Sequence, residues 1–210
     1  MCMHSLLSFL DPTTILQTVG IIGLFIIVFA ESGLLIGFFL PGDSLLFIAG
    51  ILAPTFGINI LVIAAGGALM AILGDSLGYM IGKKFGPVVF AKEKSLLFNP
   101  QNAERAKSYF EKKGPSSIIL ARFIPVIRAF VPVVAGVGKM DYKTFVSYNI
   151  IGGLIWGAGL PLLGFYFGSK VPNIDHYLLP IVLVITILSV APIAVSFIKS
   201  RFGDLDDGKI

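Results

Sequence analysis

The sequence predicts an all-α integral membrane protein, an inverted repeat of two opposed re-entrant helical hairpins plus about four transmembrane helices. Three observations carry this reading. Of 210 residues, 56% are hydrophobic and 13% charged, about half the charged share of a soluble domain. The apolar residues gather into six runs, two of them broken by proline and glycine. Basic residues concentrate in the segments that the topology assigns to one side. Mean hydropathy is +0.91. This composition excludes a soluble domain and a disordered chain. The single cysteine, Cys2, excludes an intramolecular disulfide. The formal net charge of +4 reads as topology information rather than as nucleic-acid binding. The first basic residue is Lys83 and no lipobox precedes Cys2, so the N-terminus is expected to be uncleaved.

Thr14–Ala30 is apolar apart from Thr14, Gln17 and Thr18, and is long enough to span. Glu31–Ala53 is broken at Pro41-Gly42. Its arms, Glu31–Leu40 and Asp43–Ala53, would be about 15 and 16 Å long as helices. Each reaches only the middle of a ~30 Å hydrocarbon core. Proline removes a donor and glycine permits a sharp turn, so a hairpin entering and leaving on one face fits; the competing reading is a kinked span. Ile60–Gly82 is the next span. Ser116–Gly138, with Pro125 and Pro132 as breaks, repeats the hairpin character. Thr144–Gly168 and Leu178–Ile198 are the last spans.

Lys83–Gly114 is the long polar stretch, with eight Lys/Arg from Lys83 to Lys113, which places it in the cytoplasm. Asn99-Pro100 starts a helix running to about Lys113. Its thin apolar face is Ala103, Ala106 and Phe110, and it is either a solvated helix or one touching anionic headgroups. If both broken segments are re-entrant, they enter from opposite faces and both termini are cytoplasmic. Lys139, Lys143, Lys199, Arg201 and Lys209 then lie inside and only Lys170 outside. Short echoes agree with a repeat: Ala49-Gly50 with Ala135-Gly136, and Phe85-Gly86 with Phe167-Gly168. Gly74, Gly78, Gly82 and Gly86 recur every four residues, a small-xxx-small row for close helix packing. These rows permit a homo-oligomer and serve equally within one subunit.

Five ionisable residues lie inside apolar runs: Glu31, Asp43, Asp75, Arg122 and Arg128. Each costs roughly 2.5–3.5 kcal/mol at a helix centre on insertion scales, so they must pair or line water. Arg122 and Arg128 are six apart, about 240° around an unbroken helix, and Pro125 relaxes that constraint. Asp43, freed by Pro41-Gly42, can face the arginine hairpin across the repeat interface. Two arginines there suit a phosphate headgroup through bidentate bonds. The carboxylates can hold the arginines in the empty site or exchange a proton. Asp75 is either an arginine partner or an interface residue. The competing reading is a structural salt-bridge lock. Asn149 and Trp156, seven apart, share a face and either line the cavity or pack. His4 and His176 fall in terminal and loop regions. No cluster has metal-ligand spacing, no cofactor is implied, and no nucleophile–base set is present.

These residues together resemble the DedA family, also called the SNARE-associated or VTT-domain family. The resemblance is carried by Phe29-Ala30-Glu31-Ser32-Gly33 through Phe39-Leu40-Pro41-Gly42-Asp43, then Gly74-Asp75 with Gly78-Tyr79 and Gly82. Ala121-Arg122-Phe123-Ile124-Pro125 follows, with Arg128, Pro132, Ala135-Gly136 and Met140. Phe145, Asn149, Gly152 and Trp156 complete it. It spans about residues 11 to 198. It implies two opposed re-entrant hairpins and movement of phospholipids or polyprenyl phosphates between leaflets. Several bacterial members look like recyclers of undecaprenyl phosphate in the plasma membrane, for cell-wall synthesis, with proton or sodium coupling. The family's essential acids match Glu31 and Asp43, and its essential arginines match Arg122 and Arg128.

The expected function is therefore a lipid-phosphate flippase, not an enzyme. Other classes stay open: a proton- or sodium-coupled exporter of small cations using the acids, a general phospholipid scramblase, a lipid phosphatase lacking a plausible nucleophile, and a non-transporting scaffold.

Overall fold

A computed structural model describes residues 12–34, 37, 40–89 and 114–170. The expected helix Asn99–Lys113 and the expected span Leu178–Ile198 lie outside the described residues, as do Cys2, His4 and His176. Every regular element among the described residues is helical.

Helix α1 covers Pro12–Gly33, but Gly20 interrupts it with φ 63° and ψ −166°. That left-handed conformation carries no steric cost without a Cβ. The expected span Thr14–Ala30 is thus not straight. The apolar helix Gly20–Gly33 is about 21 Å long, short of a crossing. Glu31 belongs to the last turn of α1 rather than opening a new arm. A side chain at Gly33 would meet the backbone of Gly74, so the chain turns there against its neighbour. Tight turns follow: Gly37 N–H donates to Leu34 C=O, and Leu40 N–H to Gly37 C=O, both at 2.8 Å.

Helix α2, Gly42–Leu52, starts at the expected Pro41-Gly42 break. Asn59 then caps α3 by accepting Leu61 N–H at 2.9 Å. Helix α3, Ile60–Val89, has 30 residues and is about 45 Å long. It runs on past the expected end at Gly82, through Lys83-Lys84.

The second broken segment has a short α4, Ser117–Ala121, and α5, Pro125–Val137. Ile124 between them is extended, at φ −114° and ψ 106°, as a residue before proline prefers. Pro125 sits at the first position of α5, where its missing N–H costs nothing. Pro132, expected to be a second break, instead lies inside α5. The helix absorbs one lost bond, and the ring faces Gly78 of α3, where a Cβ would come within 3.3 Å of Pro132 Cβ. The break in this segment is Arg122–Ile124.

Asp141 caps α6, Tyr142–Gly153, by accepting Thr144 N–H at 2.9 Å. A π-helical turn, Leu154–Ala158, joins α6 to α7, Gly159–Lys170. Together they form a 29-residue apolar rod, Tyr142–Lys170, long enough to cross a membrane, as is Ile60–Gly86 of α3. The rod begins two residues before the expected Thr144.

Helix α3 is the hub, packed by α1, α5 and the π-turn, while α2 packs on α7. The glycines set these contacts reciprocally. A side chain at Gly82 of α3 would strike the Val133 carbonyl of α5, and one at Gly164 of α7 would strike the Phe47 carbonyl of α2. Likewise Gly136 of α5 abuts Tyr79 of α3, and Gly50 of α2 abuts Pro161 of α7. The second arm of each broken segment thus packs on the long rod of the other half. Leu24, Leu45, Leu46 and Ile48 fill one core, and Tyr79, Ile118 and Phe145 fill a second. Outward, Ile22, Ile26, Leu61, Leu69 and Leu163 are exposed, while Glu31, Asp75, Arg122 and Arg128 are buried. This inverts the water-soluble pattern and suits a lipid surround.

Candidate functional site

The five charged residues come from five different elements. Glu31 ends α1, Asp43 is the second residue of α2, and Asp75 is midway along α3. Arg122 follows α4, and Arg128 lies in the first turn of α5. The breaks allow this convergence. Without the extended Ile124, Arg122 and Arg128 would sit on one helix and face apart.

The arginines are held differently. Arg122 Nη2 donates to both Asp75 Oδ2 and Asn149 Oδ1. Asn149 is itself fastened to α3: its Nδ2 donates to Ile72 C=O at 3.0 Å and to Ser76 Oγ at 3.3 Å. Ser76 Oγ in turn donates to Ile72 C=O at 2.7 Å. Gly152 lies flat against the arginine, where a Cβ would come within 2.8 Å of Arg122 Cδ. Arg128 instead uses two nitrogens for two acids. Nη2 donates to Glu31 Oε1, and Nη1 to Asp43 Oδ1 at 2.6 Å. Its guanidinium carbon lies 4.7 Å from the Trp156 ring centroid, a cation–π contact supplied by the π-turn.

Burial separates the acids. The Asp43 side chain is 18% exposed, against 2% for Glu31. The arginines and the other two acids are buried. Two buried atoms close no hydrogen bond among the described residues, Glu31 Oε2 and Arg122 Nε. An apolar cavity of about 280 Å³, lined by Gly20, Leu24, Ala49 and Phe56 among others, touches none of the charged residues. Among the described residues, no group of three His, Cys, Asp or Glu could hold a metal ion.

The site thus brings together all five predicted charges with Asn149 and Trp156. Asn149 and Trp156 are both buried, and each serves a different arginine. Pro41 and Pro125 stand at helix starts, and Gly42 lies against Glu31. Sequence reasoning missed Ser76, and singled out Gly152 only within the family pattern, without its contact with Arg122. Ser76 was legible as a small polar residue beside Asp75 in an apolar run. Gly152 could not be told from the other packing glycines.

The VTT domain family model matches residues 40–169. An uncharacterised membrane protein of Mycobacterium tuberculosis is 44% identical over 195 residues, covering 89% of this chain and 85% of the relative. One of Mycobacterium leprae is 42% identical over 167 residues, covering 80% and 74%. Protein DedA of Escherichia coli is 38% identical over 180 residues, covering 85% and 82%. No solved structure matches this chain. With the family match running across α2 to α7 and through four of the five buried charges, the chain belongs to the VTT-domain (DedA) family.

Proposed function

We propose that this protein moves a lipid phosphate, undecaprenyl phosphate foremost, between the leaflets of a bacterial plasma membrane. The observation that carries the reading is the buried arginine pair. Each arginine is held by acids from other helices, in a molecule whose exterior is apolar. A phosphate monoester offers several strong acceptors that can replace those carboxylates on the guanidinium groups. The isoprenoid tail stays in lipid while Arg122 and Arg128 hold the headgroup.

Charge counting supports proton coupling. Three acids and two arginines leave the ionised cluster one negative charge in excess. Adding an anion to it in a low dielectric is opposed unless an acid is neutralised. Glu31, Asp43 and Asp75 are the groups that can take that proton, or a sodium ion in its place. The reciprocal glycine contacts support an inverted repeat in which Glu31–Ala53 and Ser116–Gly138 are the two re-entrant hairpins. Rocking one against the other would open the site to each leaflet in turn. The basic loops support cytoplasmic termini.

The acid surplus favours a second reading, a cation exporter, which leaves the arginines without a substrate. Leaflet-resolved flipping in proteoliposomes separates them. Undecaprenyl phosphate is compared with phosphatidylglycerol, in wild type and Arg122→Ala/Arg128→Ala, with and without a pH gradient. Selective, arginine-dependent, gradient-driven movement of undecaprenyl phosphate is the expected result. Equal movement of both lipids identifies a scramblase. No lipid movement by folded protein removes lipid transport and leaves cation export.

A further inference from the structure

Glu31 is placed unlike the other acids. One carboxylate oxygen accepts from Arg128 Nη2. The other, Oε2, is buried and closes no hydrogen bond among the described residues. It lies against Gly42, so closely that even a methyl group at Gly42 would collide with it.

Gly42 opens α2, an 11-residue helix with no side-chain cap. The first N–H bonded inside it is Leu45 N–H, to Pro41 C=O at 2.9 Å. The three amides before it, of Gly42, Asp43 and Ser44, have no intrahelical acceptor by geometry. Such an end attracts anions. Arg128 closes the opposite side, its guanidinium carbon 4.7 Å from the Trp156 ring centroid. The Glu31 carboxylate therefore lies between a guanidinium and the N-terminus of α2, in a space that exists because residue 42 has no side chain.

That is a surround a phosphate group can use: the Arg128 Nη2 on one side and backbone amides on the other. We propose that the Glu31 carboxylate is a resident competitor, filling the seat that the lipid phosphate takes between Arg128 and the Gly42 end of α2. The inference rests on the lipid-phosphate reading and adds where the phosphate sits and which group it expels. Asp43, bound to the other nitrogen of Arg128, stays in place during the exchange. Glu31 returns to the seat when the phosphate leaves, so Arg128 Nη2 is not left buried without an acceptor.

The test is equilibrium binding of dodecyl phosphate to the full chain in nanodiscs, with dodecanol as the chain-only control and inorganic phosphate as competitor. Wild type is compared with Arg128→Ala, Glu31→Ala, the near-isosteric Glu31→Gln, and Glu31→Ala/Gly42→Ala, each checked for folding by monodisperse elution and a cooperative melt. Removing an internal competitor raises apparent affinity by the fraction of time it blocked the seat. Both Glu31 variants are expected to bind about tenfold more tightly than wild type, and the added Gly42→Ala methyl to cancel that gain. Displacement by inorganic phosphate supports a seat for the phosphate group itself, and displacement by dodecanol alone overturns it. Unchanged or weaker binding in the Glu31 variants, beside Arg128-dependent binding in wild type, overturns this inference and leaves the transport reading standing. A gain that survives Gly42→Ala places the phosphate elsewhere and also overturns it. If no folded protein prefers dodecyl phosphate to dodecanol, both the inference and the transport reading fall.

Discussion

Arg122 and Arg128 lie six residues apart, yet their surroundings differ in kind. Arg122 spends one nitrogen on two partners, and one of those partners, Asn149, is bolted to the α3 backbone. Arg128 spends two nitrogens on two acids that approach from α1 and α2. The first arrangement ties α4 to α3 and α6 and has one carboxylate. The second ties α5 to the tips of the other broken segment and has two carboxylates, one partly exposed. A fixed post and an exchangeable clasp thus share one charge cluster. A neutral amide can share an arginine without adding charge, so Arg122, with one carboxylate, is locally neutral, whereas Arg128 is over-supplied with negative partners.

The largest expected effects test that inequality. Arg128→Ala strands two carboxylates, whereas Arg122→Ala strands one and leaves an amide that still bonds to α3. Breaking a buried pair costs about 3–5 kcal/mol, so both variants lose substantial stability, Arg128→Ala the more. Denaturation in detergent micelles measures it, and a larger loss for Arg122→Ala breaks the comparison. Asn149→Ala is expected to cost about 1–3 kcal/mol, because it removes an acceptor from a buried guanidinium and both donors to α3. The loss should be much smaller in an Arg122→Ala background, and a double-mutant cycle reads the difference. Trp156→Leu sharpens the Arg128 side: losing the stacking face should cost about 0.5–2 kcal/mol. Trp156→Phe should recover most of that, and equal losses would make Trp156 packing alone.

The smallest effect lies outside both arginine sites. The Thr144 N–H bond holds the Asp141 carboxyl below its usual range. A depressed acid adds stability that is present above its unfolded pKa and lost as pH falls through the folded value. Asp141→Asn should therefore be slightly less stable than wild type at neutral pH, and the gap should close below about pH 4. A gap that widens in acid reverses the sign and removes the capping role.

Much of the site was legible because charge in an apolar run is expensive. Glu31, Asp43, Asp75, Arg122 and Arg128 stood out for that reason alone, and Pro41-Gly42 and Pro125 marked two real breaks. Other local signals misled. Pro132 looks like a break, but its ring is accepted by Gly78 across the helix interface. Gly20 drew no reading from the apolar run around it, but it holds a left-handed kink that shortens α1. The Pro132 outcome is not local, since it depends on the glycine that the neighbouring helix presents.

The sequence by itself determined the all-helical class, the apolar exterior, the broken segments and the roster of charges, because these follow from composition, length and backbone chemistry. Only the tertiary structure decided who pairs with whom. Asp75 and Asn149 went to Arg122, Glu31 and Asp43 went to Arg128, and Trp156 lies under Arg128. Those choices depend on the rotation and depth of seven helical elements, the π-turn among them, packed through glycine contacts. A shift of one residue in any of them would hand each arginine a different partner, and nothing in the local chain records that register.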